Sequence, residues 1–169
     1  MAGMSTSLFQ AAWMVNDLER SIQQWVMSAP VGPFFVIPHA KVERVLYRGA
    51  PATLDFSAAL AQAGPIQIEL IQQHNDVPSA YRDVVSKGRE GFHHVCTMTD
   101  AFDSEMRRYG SQGVVPVTQG AFGDIRFAYE SRSGDAACNA GEPLQRRLQV
   151  PPADYIEVVT LRVRCGGPA

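Results

Sequence analysis

Four polar residues stand inside apolar runs of this chain: Gln10 in Leu8–Val15, Glu69 in Ile66–Gln72, His94 in Phe92–Thr99 and Glu157 in Tyr155–Val159. A buried, ionised carboxylate is strongly unfavourable unless it is paired or coordinates a cation. Two such acids in separate strands, together with an imidazole and an amide oxygen, make an oxygen-rich ligand set with one nitrogen donor. That set suits Zn, Co, Mn, Mg or Ni more than copper, and it leaves the identity of the metal open. Taken singly, each acid reads equally well as a solvent-facing or ion-paired group, and His94 as a satisfied buried histidine. A metal with open positions can hold two oxygens of a substrate and stabilise the enolate formed when a neighbouring C–H proton is removed. Glu157 or Glu69 is then the natural base, because the base must lie within hydrogen-bond reach of that proton. Epimerisation, isomerisation and elimination all follow from the same intermediate, and spacing does not choose among them.

The elements that must position these residues can be read in order. Leu8 to Val15 suits a buried strand, and Asn16-Asp17 caps a helix in which Leu18, Ile22, Trp25 and Val26 recur through Met27. Ser28-Ala29-Pro30 stops it. Val31 to Ala40, with Pro33 and Pro38 around Phe34-Phe35-Val36, reads as an extended apolar lip more than a central strand. Three strands follow at Val42–Tyr47, Thr53–Ala61 and Ile66–Gln72, punctuated by Gly49-Ala50-Pro51 and Ala63-Gly64-Pro65.

A linker at 74–90 carries a short helical pattern around Tyr81–Val85 and closes at Gly88. The order then starts again. A strand at Phe92–Thr99 precedes a helix from Ala101 to about Gly110, capped by Asp100, with Phe102, Met106 and Tyr109 on one side. Strict alternation puts His94, Cys96 and Met98 on one face of that strand and His93, Val95 and Thr97 on the other, so a single member of the histidine pair should face inward. Strands at Val114–Thr118, Asp124–Glu130 and Asp154–Arg164 complete the half. An insertion at 131–152, rich in Gly, Ala, Pro and charge, could close over a ligand through Arg146-Arg147 or stay disordered.

Each half reads strand, helix, three strands, a repeat of roughly eighty residues. Gln10 and His94 hold the same place in it, each followed by five residues and then the polar helix start, and Glu69 matches Glu157. The expected fold class is α+β: two βαβββ modules, residues 8–73 and 91–164, forming a cupped mixed sheet around a central metal or ligand site within a single domain.

These residues resemble the vicinal oxygen chelate (VOC) superfamily of glyoxalase and bleomycin-resistance-like proteins. The motif elements are Gln10 with Asp17-Leu18-Glu19, Glu69 in Ile68-Glu69-Leu70, His94 in His93-His94-Val95, and Glu157 in Ile156-Glu157-Val158, and they span Phe9 to Leu161. Gly91-Phe92-His93-His94 after a linker helix is similar to the methylmalonyl-CoA epimerase-like branch. The resemblance implies a divalent metal held by Gln10, Glu69, His94 and Glu157, with His93 as an outward or supporting neighbour of the ligand. It also implies an isomerase, epimerase or lyase that forms a homodimer. Gln10 stands where the superfamily usually has a histidine. Pro51-Ala52-Thr53, with Asp55 the nearest acid, stands where the epimerase has a second acid. The other class this resemblance admits is a small-molecule-binding protein of the antibiotic-sequestering type, with no catalytic metal.

Substrate selection would fall to the irregular segments. Phe34, Phe35 and Tyr47 could form an apolar wall, or could simply pack in a core or a dimer. Arg48 and Arg126 could grip a carboxylate or phosphate, or could be ordinary surface residues. At 169 residues the chain suffices for one well-buried domain. Its formal charge of −2 offers no field to attract nucleic acid or an acidic membrane surface, so a small molecule is the expected partner. No run has the unbroken apolar length of a membrane span, and the first residues lack the pattern of a signal peptide. Three irregularly spaced cysteines, Cys96, Cys138 and Cys165, suit reduced thiols and a cytoplasmic setting.

Overall fold

The computed structural model describes residues 7–29, 31–131 and 156–161. The opening apolar run forms β1 (Ser7–Met14), followed by α1 (Leu18–Ser28), β2 (Phe35–Ile37), β3 (Glu43–Tyr47), β4 (Ala50–Pro51), β5 (Phe56–Ala63) and β6 (Ile66–Gln73). The linker carries α2 (Ala80–Val84). The second half supplies β7 (Gly91–Thr99), α3 (Phe102–Ser111), β8 (Pro116–Phe122), β9 (Ile125–Ser131) and β10 (Ile156–Leu161). Helix α1 starts as its sequence predicts: the Asp17 carboxylate accepts from the Arg20 N–H at 3.0 Å, satisfying one of the orphan donors of the first turn. Helix α3 starts differently. Ala101, not Asp100, is the cap residue, and its N–H donates to Thr99 Oγ1 at 3.0 Å, so the chain is turned by the last residue of β7. Pro30 and the insertion with Arg146-Arg147 lie outside the described residues.

The strands join in one ten-stranded mixed sheet, in the order β2-β5-β6-β1-β7-β10-β9-β8-β3-β4. At its centre the equivalent strands of the two halves, β1 and β7, pair antiparallel, flanked by parallel pairings of β1 with β6 and β7 with β10. Strand β3 departs from the simple module. It leaves the first half and pairs antiparallel with β8, matching Leu46 with Gln119 and Tyr47 with Thr118. The apolar lip at Phe35–Ile37 takes its place as an edge strand on β5, where flanking prolines are tolerated.

This exchange fixes the shape. Residues 38–42 alone connect β2, at one end of the sheet, to β3 beside the other. Six Cα steps reach at most about 21 Å. Ten strands can meet that limit only by curling until the two edges approach, which yields the cup.

Helices α1 and α3 cover the outside of the cup. Leu18, Ile22 and Trp25 of α1 pack on Val15, Ala59, Ile68 and Leu70, and Trp13 meets Trp25 edge-on at 5.0 Å. Phe102, Met106 and Tyr109 pack with Ala128, as the spacing along α3 predicts. Met14, Ala58, Ile71, Tyr81, Cys96 and Tyr129 belong to a separate inner cluster.

Leu70 is fully buried beneath α1, so Leu70→Ala is expected to cost about 2–5 kcal/mol in urea unfolding. Met27→Ala, on the solvent side of the same helix, should change stability by less than about 0.5 kcal/mol. Equal costs for the two would contradict this packing.

Candidate metal and ligand site

A cavity of about 400 Å³ occupies the inside of the cup. Its floor carries Gln10 from β1, Gln67 and Glu69 from β6, and His94, Cys96 and Met98 from β7, so β7 presents the face that contains His94. Phe56, Ala58, Phe127 and Tyr129 form the walls, and Ile37, Ala40 and Val42 contribute from the segment that closes the cup. Strand register explains why Glu69 and His94 meet. Both stand directly beside Ala12, one on each flank of β1. A fully buried alanine adds no bulk beyond its methyl group, so the two longer side chains reach over it and bring His94 Nε2 to 3.4 Å from Glu69 Oε2. Gln10 lies two residues earlier on the same face. Its Nε2 donates to Gln67 Oε1 at 2.7 Å, which leaves the amide oxygen as its remaining polar atom.

The histidine pair breaks the expected alternation. Ala12 pairs with His94 but Trp13 pairs with Phe92, so His93 is the extra residue of a β-bulge and both rings are buried. His93 is therefore not outward. Its Nε2 lies 3.0 Å from the carbonyl oxygen of Ala80, and its Nδ1 lies 2.8 Å from His94 Nδ1. A carbonyl can only accept, which assigns the His93 proton to Nε2. His93 Nδ1 then accepts from the Nδ1–H of His94. The chain of bonds leaves His94 Nε2 as a bare lone pair aimed at Glu69.

Burial favours the neutral form of each group. It pushes His94 down to about 3 and His93 down to about 3, the latter helped by the neighbouring His94, and it pushes Glu69 up to about 7. An imidazolium–carboxylate pair is thus disfavoured at neutral pH, although the contact has the spacing of one. Tyr81 and Tyr129 pack edge-on against the two imidazoles at 5.1 and 5.3 Å and join their hydroxyls at 3.1 Å. Burial raises both phenols well above their ordinary range, so they remain neutral.

A divalent ion fits these residues on two observations. The 3.4 Å between His94 Nε2 and Glu69 Oε2 is about the separation of two donors on one tetrahedral Zn²⁺. The imidazole is also held lone pair first by a partner on its other nitrogen, as metal-ligating histidines are.

The side chain of Glu157 lies outside the described residues. Its backbone stands opposite Val95 and Glu130, whereas Ile156 stands opposite His94 and Val158 opposite Cys96. In the first half Glu69 stands opposite Ala12, two residues after Gln10, so an equal second half would set Glu157 opposite Cys96. The two halves differ here by one residue of register.

None of Phe34, Phe35, Tyr47, Arg48 and Arg126 is among the cavity's lining residues. Phe34 packs on the outer cluster under α1, and Phe35 is exposed on edge strand β2. Tyr47 Oη and Arg48 Nη2 donate to Asp83 at 2.8 and 3.1 Å and tie β3 to α2. Arg126 pairs with Asp103 at 2.9 Å over the ring of Phe102. Local partners account for both arginines. The residues that sequence reading missed are Gln67, Tyr81 and Tyr129. Gln67 was legible, since it lies two residues before Glu69 on the same strand face; Tyr81 comes from the linker and has no periodic signal.

The raised Glu69 carboxyl predicts a pH dependence. A group that holds its proton more tightly when folded loses stability as pH rises from its ordinary value of 4.5 to about 7. In metal-free buffer the wild type should therefore lose about 3 kcal/mol relative to Glu69→Gln between pH 4.5 and pH 8, measured by urea unfolding. A difference that stays flat across that range would show that Glu69 is not desolvated.

The family model described as the glyoxalase/bleomycin resistance protein/dioxygenase superfamily matches residues 9–129. No curated protein matches the chain. Among solved structures, a methylmalonyl-CoA epimerase in complex with methylmalonyl-CoA and NH4+ is similar at 14% identity, covering 96% of this chain and 99% of its own, with a TM-score of 0.59. A methylmalonyl-CoA epimerase from Mycobacterium tuberculosis is similar at 15% identity, covering 92% and 87%, with a TM-score of 0.54. A mutant 4-hydroxymandelate synthase from Streptomyces coelicolor is similar at 10% identity, covering 97% of this chain and 51% of its own, with a TM-score of 0.56. At such identities the likeness is one of fold. The family match spans well over half of the sequence, and the chain belongs to the glyoxalase/bleomycin resistance protein/dioxygenase superfamily, the vicinal oxygen chelate proteins.

Proposed function

We propose that the chain is a metal-dependent enzyme that removes a proton beside a carbonyl of a small oxygenated substrate, as an epimerase, isomerase or glyoxalase-type lyase does. The Glu69–His94 contact carries this reading. Two electron-pair donors face each other at 3.4 Å, and once Glu69 is ionised they have no proton to share. Gln10, Glu69 and His94 would hold the ion; family resemblance names Glu157 of β10 as the fourth donor, although its backbone stands one residue out of register from that of an equal second half. A divalent ion bound there supplies Lewis acidity to substrate oxygens, which acidifies the neighbouring C–H.

The chain's own residues do the rest. A carboxylate at the ion is the candidate base, Glu69 first because it lines the cavity and Glu157 second by family resemblance. His93 orients His94, and Tyr81 and Tyr129 keep water from the imidazoles. Phe56, Phe127 and Ile125 fit the carbon body of the substrate. Acyl-CoA thioesters and 2-oxo acids are the compounds to try first, since a similar structure is bound to methylmalonyl-CoA. Homodimerisation and a cytoplasmic setting belong to the same reading.

One observation favours a second reading, a small-molecule binder of the antibiotic-sequestering type. Gln10 and Gln67 satisfy each other through one amide hydrogen bond, where the superfamily usually has a ligating histidine.

Elemental analysis and solvent exchange separate the two. For the enzyme, untagged protein purified without added metal should hold a divalent ion that Glu69→Ala loses, and it should wash deuterium from solvent into a turned-over thioester or 2-oxo acid. An absence of metal, with stability unchanged by chelation, would establish the binder instead. His93→Ala is expected to weaken metal affinity by about 10–100-fold with the ligands intact. Unchanged affinity would remove His93 from its supporting role.

A further inference from the structure

We propose a second divalent-metal site, formed by His39, Asp55 and His74 at the rim of the cup and outside the cavity. One donor atom from each residue lies within 4.8 Å of those of the other two. The three belong to separate segments: His39 to the turn after β2, Asp55 to the approach to β5 and His74 to the exit from β6. Backbone register assembles them. Phe56 pairs with Gln73, so Asp55 and His74 are the next residues outward on adjacent strands, and the His74 N–H donates to the Asp55 carbonyl at 2.8 Å. The Ala40 N–H donates to the Phe56 carbonyl at 2.7 Å, which brings the preceding residue, His39, over the same strand end.

The side chains are arranged as a ligand set would be. His39 Nδ1 lies 2.7 Å from Asp55 Oδ1, and the two imidazoles are layered with centroids 4.6 Å apart. Ser57 Oγ accepts from the backbone N–H of His39 at 3.0 Å and contacts His74 Nε2 at 2.7 Å, so one hydroxyl fixes the His39 backbone and the His74 ring. The 2.7 Å between His39 Nδ1 and Asp55 Oδ1 is hydrogen-bond spacing, and the two donors would open to about 3.3 Å, a small side-chain adjustment, to share one tetrahedral Zn²⁺. An ion there would replace the proton that His39 and Asp55 share. A surface His–Asp pair explains one imidazole on that carboxylate; the second imidazole is what makes a chelate. Two nitrogens and one carboxylate oxygen suit Zn²⁺, Co²⁺ or Ni²⁺ better than Ca²⁺ or Mg²⁺. The side chains of His39 and Asp55 are 68% and 42% exposed, which gives the ion an entry path and leaves places for water or a further ligand.

The position gives such an ion a task. His39 sits in the segment 38–42 that closes the cup, between Ile37 and Ala40, both of which line the cavity. An ion held there clasps that segment to β5 and β6 and stiffens one cavity wall. All four histidines of the chain then fall into two pairs, one at each site.

The test is a Zn²⁺ titration by isothermal calorimetry on the untagged, metal-stripped full chain, with melting followed in parallel. In Glu69→Ala, which lacks the cavity carboxylate, one Zn²⁺ should still bind and raise the melting midpoint by several degrees. Adding Asp55→Asn or His74→Gln to that chain should weaken binding at least tenfold and abolish the shift. Asp55→Asn is nearly isosteric, so it guards against loss of fold in the histidine variant. The proposal is overturned if Glu69→Ala binds no Zn²⁺, or binds it equally well after both further substitutions. A wild type that loses one ion with Asp55→Asn and none with Glu69→Ala upholds this site while removing the one in the cavity.

Discussion

The centre of this protein is governed by a contact between two groups that each present only lone pairs once Glu69 is ionised. His94 presents a bare nitrogen to the Glu69 carboxylate because its other nitrogen is committed to His93, and His93 is committed to the Ala80 carbonyl. Each link forces the next. Burial then removes the ordinary escape, an imidazolium paired with a carboxylate, by lowering both histidines and raising the acid. What remains are two outcomes, a protonated glutamic acid or a shared cation. The interior costs of both charge states meet at this one contact, which is why it carries the functional reading.

The fold builds that contact from simple parts. Two equivalent strands pair at the centre of the sheet, Ala12 on one of them leaves space, and the residues on either side of it reach across. The five residues from 38 to 42 bend the sheet into a cup by holding its far edges together, and the same segment supplies part of the cavity wall. Shape and site therefore share a constraint. The linker contributes twice, through the Ala80 carbonyl that sets the His93 tautomer and through Tyr81 beside the imidazoles.

Much of this was legible in the sequence because period-two alternation and the internal repeat are local properties. The repeat marked Gln10 and His94 as equivalents, alternation grouped His94, Cys96 and Met98 on one face, and the family resemblance chose that face as the pocket. Alternation failed at His93, since a bulge adds a residue to the strand and a period-two pattern cannot count it. The exchange of β3 onto β8 was hidden for another reason: which strands pair across halves is a tertiary fact, and the residues of β3 suit either neighbour. The same distance from local pattern explains the substrate assignments. Arg48 and Arg126 looked available in sequence, but Asp83 and Asp103 come to them only in the fold. His39, Asp55 and His74 show the converse, three polar residues far apart in sequence whose meeting at one strand end no spacing rule expresses.

The central claim concerns a single nitrogen, and nitrogen-15 NMR observes it directly. Long-range proton–nitrogen correlations of the histidine rings in the metal-free chain at pH 7 should show His94 as the neutral Nδ1–H tautomer with an unprotonated Nε2. Added Zn²⁺ should then shift that Nε2 resonance while the Nδ1 proton stays in place. A His94 imidazolium, or a tautomer with its proton on Nε2, would contradict the account at its base.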